Sequence, residues 1–259
     1  LPDEDAVADR KLSFWRYFTL AYEDAARVLR GMFPVVLTVV AAVVVLGFLG
    51  RLIDGYIPTR LGQSVLDLLV AAGTAYVISP YLIVLYRAVA TNDMTLRAES
   101  LRGTREAQRF AAWSVLSAFI IAAPELLFAV FGPDVPPEQI TEENVNTGAM
   151  LMIFAITVGV WIFSVRAATL MPLLALDPDR AGLPVAFAQS KGHFWYIVGV
   201  LVVTMLPVLI GGVIVAALIG GLFGVLAPIL MVPVGAAITG VTLVTAIAVS
   251  TRLYQRFAE

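Results

Sequence analysis

Apolar runs of about 20 residues alternate with short polar connections along nearly the whole chain. Such a run, wound as an α-helix, is about 30 Å long and matches the hydrocarbon thickness of a bilayer. The pattern predicts six membrane spans, at residues 34–53, 65–88, 110–131, 149–173, 194–219 and 229–250. Pro34 opens the first of them, in the helical turn where a missing N–H costs least.

Three connecting segments have a different pattern. In residues 11–33, Phe14, Tyr17, Phe18, Ala21, Tyr22, Ala25 and Val28 fall near one helical face. Arg16, Glu23, Asp24, Arg27 and Arg30 fall mostly off it. This predicts an amphipathic helix in the membrane interface, with Trp15 and the tyrosines at headgroup depth. Further interfacial helices are expected near 95–107 and 181–190. Residues 1–10 read as an acidic tail, with no cleavable signal peptide, and residues 11–259 as one transmembrane domain.

Composition supports a membrane class. Hydrophobic residues make up 60% of the 259 and charged ones 14%, where a soluble domain is about half apolar and a quarter charged. Mean hydropathy is +0.90. The fold expected is therefore an all-α integral membrane protein with six transmembrane helices and amphipathic interfacial helices. There is no cysteine, so disulfide and thiol chemistry are excluded.

Charge sets an orientation. Of the 17 bases, only Arg51 and Arg60 fall in the first, third and fifth connections. The rest cluster in the N-terminal segment, the second and fourth connections and the C-terminal end. The positive-inside rule then places both termini in the cytoplasm, which an even number of spans requires.

Similar features recur at about 80-residue intervals. Phe33, Phe110 and Phe194 open the outgoing spans, each after a polar, basic stretch. Arg87, Arg166 and Arg252 lie near the ends of the returning spans. One reading is a threefold repeat of helical hairpins. The other is that topology alone places an arginine at each inner boundary.

Charge within a span is the usual pointer to function in a membrane protein. Glu125, Asp67 and Arg166 form the candidate intramembrane polar site. The two carboxylates either line a cavity that takes a cation or proton, or are hydrated near the outer interface. Arg166 either joins such a site or snorkels to inner headgroups. Pro80, Pro124, Pro172 and Pro207 fall inside predicted spans and act as hinges or as static kinks. Ser79, Thr169 and Thr204 are near enough in sequence to satisfy the carbonyls these prolines free.

Gly212, Ala216, Gly220 and Gly224 recur every fourth residue, a bare face for close helix packing between copies or within one chain. Trp15, Arg16, Arg27, Arg30, Lys191 and Trp195 are the expected contacts to lipid headgroups, anionic ones in particular. His193 is the only histidine and sits beside an aromatic belt, Phe194 to Tyr196, as an interfacial residue.

No catalytic constellation stands out. A histidine-dependent triad would have to use His193, and no G-x-S-x-G accompanies it. There is no H-E-x-x-H, P-loop or dinucleotide fingerprint. Glu142 and Glu143 lie in an acidic loop without a partner acid. No metal, cofactor or nucleic-acid partner is expected.

From Arg166 to Val200, the chain carries Pro172, the acidic turn Asp177–Asp179, Ser190, Gly192 and Trp195. This stretch resembles the membrane domain linked to glycerophosphoryl diester phosphodiesterases, and related uncharacterised bacterial inner-membrane proteins. Gly192 follows Ser190 more closely than in that pattern, and the intervening hydrophobic residue is absent. The resemblance implies a multi-span bacterial inner-membrane module. These 259 residues carry no phosphodiesterase domain, so it implies no phosphodiesterase activity.

The function expected is thus a non-enzymatic module that organises lipids or partner membrane proteins, including copies of itself. The alternative is a transporter or channel using Glu125 and Asp67.

Overall fold

A computed structural model of the chain describes residues 14–132, 146–223 and 227–258. The acidic tail, Glu142, Glu143 and Gly224 lie outside the described residues.

The protein is all-α, with no strand among the described residues. In chain order the helices are α1 (Phe14–Gly31), α2 (Phe33–Asp54), α3 (Arg60–Thr91), α4 (Arg105–Phe131), α5 (Thr147–Arg166), α6 (Leu170–Leu176), α7 (Leu183–Gln189), α8 (Phe194–Phe223) and α9 (Ala227–Phe257). Among the described residues, six segments are long and apolar enough to cross a membrane, and they match the six predicted spans. Most of the helices run past the predicted ends. Helix α3, with 32 residues, is about 48 Å long at the usual rise per residue and extends beyond the hydrocarbon.

Local chemistry sets several boundaries. Pro34 lies in the first turn of α2, as its position suggested. The side chains of Thr59, Thr104 and Asn146 accept from backbone amides in the first turns of α3, α4 and α5. Helix α3 stops at Asn92, which adopts the left-handed conformation with φ 58°. Gly192, with φ 80°, turns the chain into α8, a conformation that a side chain there would strain.

Two expected elements differ. The interfacial helix near 95–107 is a 3-10 turn at Ala98–Leu101 followed by the start of α4, because Gly103 takes φ 75° and breaks the helical path. The fourth span is interrupted after Arg166. Pro172 therefore lies not inside a continuous helix but in the first turn of α6, where its missing N–H breaks no helical bond. Helix α6 is almost wholly buried and wedges among α3, α4 and α9.

The hairpins pair α2 with α3, α4 with α5, and α8 with α9. Each returning helix also touches the outgoing helix of the next hairpin: α3 on α4, α5 on α8, and α9 on α2. The contacts thus run in a closed ring.

The core sits at the arginine-rich end of this ring. In α4 the buried residues are Ala107, Phe110 and Ala111, all within two turns of its start. In α5 the buried residue is Val165, near its end. In α8 they are Ile197, Val200 and Thr204. Toward the opposite end, Phe48, Ile121, Phe154 and Val213 are among many exposed apolar side chains. A surface of this kind is stable only in a solvent as apolar as itself.

Gly212 packs within the chain: a Cβ there would lie 3.1 Å from Ile238 of α9. Ala216 is half-buried and Gly220 continues the same helix. Gly240 is another close helix approach: a Cβ there would lie 3.1 Å from Val40 Cγ2 of α2. Gly240→Leu is expected to destabilise the fold by about 1–3 kcal/mol through overpacking. Gly159→Leu, where nothing lies within 4 Å, should leave thermal unfolding in detergent unchanged. Equal losses for the two would show that α9 does not rest on α2 at this point.

Candidate functional site

Helix α1 sends Tyr17, Ala21, Asp24, Ala25 and Val28 inward, at spacings of three and four residues that form one face. That face packs chiefly on α9 and α8. Asp24 therefore belongs to the buried side and not, as its charge suggested, to the polar one. Its side chain is 1% exposed.

A buried carboxylate must be paired and hydrogen-bonded. Arg252 of α9 donates Nε to Asp24 Oδ2 at 2.6 Å, and Arg27 donates Nη1 to Oδ1 at 3.0 Å. Arg27 also reaches Asn92 Oδ1 at 3.1 Å, so the clamp extends to the end of α3. Close by, Tyr22 donates its hydroxyl to the carbonyl of Thr204, one turn before Pro207, at 2.7 Å. Burial raises the Tyr22 phenol above its ordinary pKa, so it stays a neutral donor.

A second ion pair links the first two hairpins. Arg87 of α3 pairs with Glu106 in the first turn of α4 and donates Nε to the carbonyl of Ala175 in α6 at 2.9 Å. Arg109 donates to the carbonyl of Pro178 at 2.7 Å and holds the turn after α6. At the C-terminal end, Arg256 lies over the Tyr196 ring at 4.2 Å and the Tyr17 ring at 5.0 Å. Arg27, Arg87, Arg109, Arg252 and Arg256 thus act as struts between separate elements at this end.

Arg102 is placed differently. It is exposed, donates to the Tyr81 hydroxyl and sits 5.7 Å from the centre of that ring. It heads a groove of about 310 Å³ between α3 and α4, lined by Tyr76, Val77, Pro80, Ala107 and Ala111, with Gln108 beside it. One end offers a guanidinium, a phenol and an amide, and the rest is apolar apart from the Tyr76 hydroxyl. The groove opens on the outside of the bundle, where Tyr76 and Val77 are exposed. A phosphate with an attached hydrocarbon chain matches this division of chemistry.

The predicted site residues do not meet in one place. Asp67 and Glu125 are exposed on α3 and α4, and neither lines the groove. Arg166 is half-buried at the end of α5. Neither carboxylate has a hydrogen-bond or ion-pair partner among the described residues. Trp15, Arg16, Arg30, Lys191 and Trp195 are exposed, as headgroup contacts would be, whereas Arg27 is shared with Asp24 and Asn92. His193 is exposed, with Nδ1 3.0 Å from the carbonyl of Lys191. Of the three hydroxyls near the in-span prolines, Ser79 donates to the carbonyl of Ala75, while Thr169 is buried without a partner.

The Arg102 groove and the Asp24 clamp were missed in the sequence. The clamp had a faint signal, since Asp24 falls at the helical spacing of Ala21 and Val28. The groove had none, because Tyr81 and Arg102 meet only once α3 and α4 pack.

Asp24→Asn should destabilise the protein by about 3–5 kcal/mol, the usual result of breaking a buried pair from one side. Adding Arg252→Gln should recover part of that loss. Thermal unfolding of both single variants and the double, read as a cycle, measures the coupling. Strictly additive losses would show that the two residues do not act as a pair.

No family model matches the chain, and no curated protein and no solved structure matches it.

Proposed function

We propose that this chain is a non-enzymatic, multi-pass module of a bacterial inner membrane that organises lipids, with its arginine-rich end and both termini in the cytoplasm. The observation that carries this reading is the α3–α4 groove, polar at Arg102, Tyr81 and Gln108 and mainly apolar elsewhere. Its polar end lies at the arginine-rich end of the bundle, the depth at which anionic headgroups of the cytoplasmic leaflet are found. The exposed Trp15, Arg16, Arg30 and Lys191 lie at the same end and add to the attraction for anionic lipid. A role near phospholipid is also in keeping with the resemblance to membrane domains linked to glycerophosphoryl diester phosphodiesterases. A transporter would bring Asp67 and Glu125 toward a shared polar path, and their outward placement weighs against that alternative.

Arg102→Gln should weaken binding of phosphatidylglycerol about tenfold, the loss of one charge-assisted contact worth about 1.4 kcal/mol. Native mass spectrometry from detergent, with lipid titrated in, reads this directly. Equal lipid occupancy in the variant and the parent would remove the groove as the site. Orientation is tested separately, since the chain has no cysteine of its own. Ser100→Cys should react with an impermeant maleimide only from the cytoplasmic side, and Tyr56→Cys only from the other. Reaction of both from one side would overturn the arrangement.

A further inference from the structure

The three returning helices carry arginine near the arginine-rich end: Arg87 in α3, Arg166 in α5, and in α9 Arg252, followed one turn later by Arg256. Two of them have the same kind of partner. Arg87 pairs with Glu106, in the first turn of the next outgoing helix. Arg252 pairs with Asp24, in the helix that leads into the next outgoing span around the ring. Both guanidinium side chains are 29% exposed. Each link runs from one hairpin to an acid in the segment leading into the following hairpin.

The same order would send Arg166 to an acid in the segment before α8. Helix α7, with sequence LPVAFAQ, holds none. Asp177, in the preceding turn, faces Arg180 at 3.8 Å, and Asp179 is exposed. This junction is held instead by aromatic rings. Phe163, one turn before Arg166, stacks on Phe187 of α7 with ring centres 5.7 Å apart. Trp161 meets Phe194 at the start of α8, also at 5.7 Å. Arg166, at the end of the same helix, is half-buried, and no hydrogen bond or ion pair reaches it among the described residues. A guanidinium has five N–H donors and no means of shedding its charge, so a half-buried one without an acceptor is costly.

We infer that Arg166 is an anion-binding residue that closes the third junction with an external phosphate, the headgroup phosphate of a membrane phospholipid, where the other two junctions use carboxylates of the chain. A phosphate offers the guanidinium two oxygens in the geometry it prefers. The exposed Trp161 and Trp195 nearby are of the type that sits at headgroup depth, and exposed Ile162 extends toward the hydrocarbon. The inference shares with the proposed function only the lipid bilayer. Failure at Arg166 leaves the Arg102 groove standing, and failure at Arg102 leaves this junction standing.

The test compares thermal unfolding of the parent, Arg166→Gln and Arg87→Gln, first in delipidated detergent and then with added phosphatidylglycerol micelles or with inorganic phosphate. Without lipid, Arg166→Gln should unfold at the parent temperature, because no partner within the chain is lost, whereas Arg87→Gln should unfold earlier. Phosphatidylglycerol should stabilise the parent and Arg87→Gln, and Arg166→Gln markedly less. Inorganic phosphate should have little effect on any of them, because it lacks the acyl chains that hold the lipid beside α5. A substitution placing a carboxylate in the junction, Val185→Glu, nine residues before Phe194 as Asp24 is before Phe33, should reduce the lipid effect. Equal stabilisation of the parent and Arg166→Gln by the lipid, or a loss for Arg166→Gln as large as that for Arg87→Gln before any lipid is added, would overturn the inference. Full stabilisation by inorganic phosphate would reassign the site to a soluble anion and overturn the lipid assignment.

Discussion

A carboxylate with almost no contact with solvent governs how this bundle closes. Asp24 cannot remain charged in the core without compensation, and two guanidinium groups supply it, one from its own helix and one from the last helix. The pair ties the first described helix to the end of the last. It also fixes α1 against α8 and α9, so an amphipathic helix suited to lying free on a membrane becomes part of the core. A pair of this kind adds modest net stability over an apolar substitute, but breaking it from one side is expensive.

The bundle is consequently tight at one end and open toward the other. Ion pairs and the buried α6 are concentrated at the arginine-rich end. Farther along, the helices present mainly apolar side chains to their surroundings. In water such helices would be driven together. In lipid that drive is absent, because the acyl chains are as apolar as the side chains, and packing depends on small residues and polar contacts. Gly240 against Val40 and Gly212 against Ile238 are two such approaches.

The same division of labour bears on function. Arginines that join helices are already used, whereas Arg102 and Arg166 are among the bases with capacity for a ligand. Arg102 stands at the mouth of a groove, and Arg166 at a junction joined by aromatic rings and without an acid for it. Both positions suit a phosphate at the surface of a hydrocarbon phase. A lipid would then act as a component of the helix interfaces, joined to the protein by charge at its headgroup and by dispersion along its chains.

The amino-acid sequence by itself determined the helical class, the six spans and the segregation of arginine to one end. Each follows from local chemistry: hydrocarbon admits a backbone only when its hydrogen bonds close within the segment, and run length sets the crossing. The same local logic identified Pro34 at a helix start and the amphipathic pattern of α1. Only the tertiary structure decided which charges were free. Asp24, Arg87 and Arg252 look like interfacial charges in the sequence, and become struts because their partners lie on other hairpins. Whether Asp67 and Glu125 share a cavity or are hydrated near the outer interface was open in the sequence, and the docking of α3 and α4 leaves both exposed. Arg102 and Tyr81 meet only after those helices pack. Spacing along a chain fixes the face a residue occupies on its own helix, but the neighbour opposite that face is set by how the helices dock.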